Sequence, residues 1–108
     1  MPVHVLPPAW ESSLVDWLDS LRLEGKSEKT ISLRRRHVRS VAAVSRTAHP
    51  RAVTPELLMS ICRQQDWSFE YRCDMRTSLL MFYSWAVGAG VVPQNPVDDL
   101  PQAMVPML

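Results

Sequence analysis

Residues 71–96, YRCDMRTSLLMFYSWAVGAGVVPQNP, constrain this chain more than any other stretch. Tyr71, Met75, Leu79, Phe82 and Ala86 recur every three or four residues, and Leu80, Tyr83 and Val87 widen that row into the broad apolar face of a buried helix. Gly88 and Gly90 supply the positive-φ residue that ends it, and Pro93 and Pro96 prevent its resumption, so the helix stops near Ala89. At the other end Arg72 and Arg76 lie one turn apart. A helix that fills the core with its middle therefore presents two guanidinium groups from its first turns, where an anionic partner would meet them.

Three helices are predicted before it. After an extended, proline-bearing lead-in over residues 1–8, expected to be poorly ordered unless it packs, a first helix covers 9–23. Trp10, Leu14, Trp17, Leu18 and Leu21 share its buried side, and Gly25 terminates it. Both tryptophans read as core anchors rather than a stacking platform for bases. Ser27 caps a second helix that continues to Ala48 before Pro50. On it Ile31, Val38, Val41, Ala42 and Ser45 form the core face, flanked by His37 and Val44, while Lys29, Arg35, Arg36, Arg39 and Arg46 spread over the opposite one. Arg34 falls inside the apolar sector, so its stem lies over the core and its head snorkels towards the helix start. Thr54, Pro55 and Glu56 open a short third helix ending by Gln65, with Leu57, Leu58 and Ile61 inside. Ser68 or Asp66 caps the fourth helix, with Trp67 packed beneath it.

These elements make a single all-α domain of four helices over residues 9–100. Pro93, Pro96, Pro101 and Pro106 exclude a further long helix. Residues 97–100 make at most one turn, and residues 101–108 read as the start of a linker to a following domain.

Several function classes drop out. No apolar run approaches the ~18 residues of a membrane span, and the N-terminus lacks the basic start and apolar run of a secretory signal, so a cytoplasmic protein is expected. Cys62 and Cys73 read as free, buried or half-buried thiols, and His4, His37 and His49 are too scattered to hold a metal. There is no glycine-rich phosphate loop, GxSxG elbow, HExxH pair or CxxC pair. Asp98 and Asp99 lie in a predicted irregular tail, without the rigid support that acid–base chemistry needs. Neither an active site nor a cofactor is expected.

The positive signal is charge placement. Net charge is only +1, yet residues 22–51 hold nine basic residues against Glu24 and Glu28, which leaves the remainder net acidic. A helix face of almost one sign repels itself and favours an anionic partner. Lys26, Ser27, Lys29 and Thr30 surround one helix start and Arg72, Arg76 and Thr77 another. Helix starts bind phosphate through free backbone N–H groups and the helix dipole, and such side chains extend the contact.

The sequence S-x-K-T-I opening a basic helix, then VTPELL, then MRTSLLMFYSWAVGAGVVPQNPVDDLP, resembles the N-terminal core-binding (SAM-like) domain of phage-integrase-type tyrosine recombinases over about residues 9–100. The resemblance implies an orthogonal four-helix, SAM-like bundle that forms one half of a clamp on a recombination site. The other half would be a C-terminal catalytic domain carrying the chemistry of strand breakage and rejoining, so this chain by itself would not be an enzyme. The partners implied are double-stranded DNA, that catalytic domain and other recombinase protomers. Carried onto this sequence, the resemblance points to Lys29, Thr30 and Arg34 on the second helix and Arg72, Arg76 and Thr77 on the fourth as DNA contacts, with Lys26 and Ser27 at phosphates beside them. It also implies that neither Tyr71 nor Tyr83 is the nucleophile. The alternative is a helical protein–protein interaction module, since small bundles of this kind serve that role as well.

Overall fold

A computed structural model describes residues 5–98 and Leu100. These residues form an all-α bundle of four helices: α1 (Pro8–Leu23), α2 (Glu28–Ser45), α3 (Pro55–Gln64) and α4 (Phe69–Gly88), with a 3-10 turn at Pro50–Ala52. None of the helices is long and apolar enough to cross a membrane.

Local chemistry accounts for the helix starts. The Ser27, Thr54 and Ser68 hydroxyls accept from the backbone N–H groups of Thr30, Leu57 and Tyr71, so α2, α3 and α4 each begin at a side-chain cap. Pro8 opens α1, where a missing N–H costs nothing. Leu6, in the expected lead-in, is only 5% exposed, and its N–H donates to Glu11 Oε2.

The largest departure in helix length is at the end of α2, three residues before the expected Ala48. Arg46 takes the left-handed conformation there, at φ 56°. Buried Trp10 of α1 donates its indole N–H to the Thr47 carbonyl and hydroxyl, both at 3.2 Å. Satisfying that buried donor turns the chain out of helical geometry, at the cost of one strained residue.

The core forms around Phe82 of α4. Its ring packs on Trp10 at 5.8 Å and edge-on to Trp17 at 5.3 Å, which confirms both tryptophans as core anchors. The buried row of α4 is Met75, Ser78, Leu79, Phe82, Tyr83 and Ala86. Val87, expected on it, is 39% exposed, because the face that meets α1 and α2 is centred on the 75–79–82–86 row. Leu57 of α3 is likewise only half-buried, and Cys62 takes its place inside. Gly90 alone, at φ 77°, supplies the left-handed residue after α4, and Gly88 remains helical.

The chain after α4 packs back on the bundle: Val92, Val97 and Leu100 are buried. Asn95 holds this return by donating Nδ2 to the Leu80 carbonyl and the Ser84 hydroxyl while accepting from Val97 N–H at 2.9 Å. Asp98 is exposed; Asp99 and the expected linker over 101–108 lie outside the described residues.

Candidate nucleic-acid interface

Ten of the twelve cationic side chains fall into three groups once their partners are considered; Arg51, in the 3-10 turn, and Arg63, on α3, are exposed and stand apart from them. Arg22 pairs with Asp19 and Glu28, and Arg39 pairs with Glu11 across α1 and α2. The Arg39 guanidinium, hydrogen-bonded to Glu11, holds that carboxyl below its ordinary range. These two arginines tie helices together. Lys26, Lys29, Arg35, Arg36 and Arg46 are exposed and form no ion pair among the described residues. Four of the five lie on α2 or cap its end, because the opposite face of that helix is spent on Ile31, Val38, Val41 and Ala42. Arg34, Arg72 and Arg76 form the third group, half-buried on α2 and α4.

At the start of α2, Ser27 Oγ is committed to the cap: it accepts from Thr30 N–H and lies 3.1 Å from Thr30 Oγ1, to which it donates. Thr30 Oγ1 thereby keeps its own proton for an outside acceptor. Lys29 and Thr30 share a shallow depression with Ser32, Leu33 and Arg36, so the sequence-predicted pair meets an arginine from the next turns of the same helix. Arg35, Arg36 and Arg39 line a second groove, between Leu6 and Val44.

The start of α4 is electrically different. Glu70 and Asp74 alternate with Arg72 and Arg76, so its first two turns are balanced in sign. Thr77 donates its hydroxyl to the Cys73 carbonyl and remains exposed. Arg72 keeps its Nε–H buried without an acceptor among the described residues. The cationic surface therefore runs along the α2 face and is not gathered at two helix starts.

Arg34 joins the two helices. Its stem is partly buried, as its place in the apolar sector requires, but its head crosses to α4, where Nη1 donates to Ser78 Oγ at 3.0 Å. Ser78 Oγ also lies 2.7 Å from His37 Nδ1. His37, expected at the edge of the stripe, is 1% exposed, and its ring meets Tyr71 edge-on at 5.4 Å. Burial, reinforced by Arg34 and Arg36, pushes the imidazole below its ordinary value against a smaller opposing pull from Asp74.

Neither Ser78 nor His37 is among the DNA contacts that the sequence predicts. A signal for Ser78 exists: it stands seven residues after Tyr71, three after Met75 and four before Phe82, a hydroxyl in the middle of an apolar row. A buried hydroxyl needs partners, and here polar residues on the facing helix provide them.

The other chemistry is inert. Cys62 is buried and Cys73 half-buried, both free, and burial pushes the Cys62 thiol up, away from the reactive thiolate. Tyr83 is buried with its phenol held far above its ordinary range, which fits a core residue and not a nucleophile. No group of three potential metal ligands occurs among the described residues. Compared with protein-family models, curated proteins and solved structures, the chain matches none.

Proposed function

We propose that this domain binds double-stranded DNA through the exposed face of α2 and serves as the core-binding domain of a site-specific tyrosine recombinase, holding one arm of a recombination site. The observation that carries the DNA reading is the set of cations Lys29, Arg35 and Arg36, without ion pairs among the described residues, on one side of an 18-residue helix, while Arg22 and Arg39 in the same segment are paired. Such a surface neutralises phosphates and releases condensed counterions, so binding is salt-dependent and largely insensitive to sequence. Thr30, Arg34, Arg72, Arg76 and Thr77 extend the contact beyond that face, with Lys26 at its entrance. The recombinase role is supported by the sequence resemblance, in which a separate catalytic domain completes the clamp and raises a weak affinity through effective concentration.

An NMR titration with a short duplex at low and moderate salt tests the reading. Shifts at residues 26–36 and 72–77 that fade with salt are expected. Lys29→Ala and Arg36→Ala should each weaken binding and reduce the slope of log K against log salt by about 0.9, with the fold intact. Absence of shifts at low salt, together with concentration-dependent self-association, would replace this reading with a protein–protein module.

A further inference from the structure

We propose that Ser78 and His37 are positioning residues that aim the Arg34 guanidinium at a DNA phosphate, an inference that rests on the DNA-binding reading above. Arginine can only donate, so Ser78 Oγ accepts from Arg34 Nη1, and its single hydroxyl proton can then go to His37 Nδ1. That arrangement uses each proton once and requires a neutral imidazole carrying its proton on Nε2.

Ser78 is 0% exposed and His37 1%, so water does not compete for this pair. Both sit on helices, and the contact lies where α2 packs on α4. The Arg34 head is consequently held by a rigid interface and not by a loop. Its Nε–H is buried without an acceptor among the described residues, while the residue as a whole is half-buried and keeps guanidinium N–H groups beyond the one given to Ser78. A guanidinium fixed in plane loses less side-chain freedom on meeting a phosphate than the exposed Arg35 and Arg36 do.

The groups facing His37 favour its neutral form. Arg34 and Arg36 on its own helix repel a second positive charge, and from α4 it meets Ser78, the ring of Tyr71 and, more weakly, the Asp74 carboxylate. A protonated His37 would donate to Ser78 Oγ, reversing that bond and placing a second cation beside Arg34 on the same hydroxyl oxygen.

The test is a double-mutant cycle on the whole chain: Ser78→Ala, Arg34→Ala and the pair, with Arg36→Ala as control. Binding of a fluorescent duplex is followed by anisotropy across a salt series. Ser78→Ala should weaken binding about three- to tenfold at low salt and reduce the salt slope by up to about 0.9, as Arg34→Ala does. The double variant should bind no more weakly than Arg34→Ala alone. Ser78→Cys preserves the volume with a poor acceptor and gives the same readout if alanine does not fold. Wild-type affinity and slope in the folded Ser78 variant, or losses that add fully to those of Arg34→Ala, would overturn the positioning role alone. Failure of the wild-type chain to bind the duplex, or binding indifferent to Arg36→Ala, would remove the DNA reading and this inference with it.

Discussion

Tyr83→Phe tests how α4 is tied to the connection between α2 and α3. The Tyr83 hydroxyl, on a side chain 0% exposed, donates to the Pro50 carbonyl at 2.9 Å. Burial raises the phenol well above its ordinary pKa, so it stays protonated and remains a donor at every working pH. Phenylalanine keeps the ring and its edge-on contact with Phe82 at 5.1 Å, so no large cavity opens. The carbonyl is not orphaned either, because Pro50 also accepts from Val53 N–H at 3.2 Å. The loss is therefore that of one buried hydrogen bond, about 1 kcal/mol, and not the larger penalty of stranding a buried acceptor. Urea unfolding should show a lower midpoint at unchanged m, and Tm should fall by about 4–8 °C. Tyr71→Phe is the internal control. That hydroxyl makes no hydrogen bond among the described residues and its side chain is half-buried, so the change should stay within about 0.5 kcal/mol. Equal effects at the two positions, or none at Tyr83, would refute the assignment of the Tyr83–Pro50 bond as a structural tie.

Two further predictions concern pH and backbone. His37 lies below its reference value of 6.5 when folded, so the unfolded chain takes up the proton first; stability should fall as pH drops past 6.5, until the folded imidazole also titrates. Glu11, held below 4.5 by Arg39, should add a second loss that begins as pH falls past 4.5 and is complete once the folded carboxylate also takes its proton. Urea midpoints between roughly pH 8 and pH 3 resolve the two steps, and a rise in stability on acidification below 6.5 would contradict the first. Gly90→Ala should cost about 1 kcal/mol at φ 77°, although an added Cβ meets nothing within 4 Å. Gly88→Ala, equally uncrowded but helical, should be neutral or slightly stabilising, and a thermal melt of both variants reads the difference in sign.

Much of the fold was legible because helix signals are local. Caps at Ser27, Thr54 and Ser68 fix the starts of three helices from a few neighbouring residues. The end of α2 was not legible, since Arg46 leaves the helix to satisfy Trp10, 37 residues from Thr47 in sequence. The expected contacts Lys29 and Thr30 are brought to one depression with Arg36, whereas Arg72 and Arg76 stand among Glu70 and Asp74. Which cations are spent on ion pairs depends on carboxylates from other helices, as Glu11 does for Arg39.

By itself the sequence determined that this chain forms four helices, which face of each is apolar, and that positive charge is concentrated on the second. Periodicity, capping and chain breaks act over a few residues and need no partner. Only the tertiary structure decided that Ser78 and His37 meet, that Arg34 crosses to α4, and that Arg39 is paired while Arg35 and Arg36 have no ion pair among the described residues. Those outcomes depend on how two helices pack, and here the buried hydroxyl and the guanidinium find their partners across that interface.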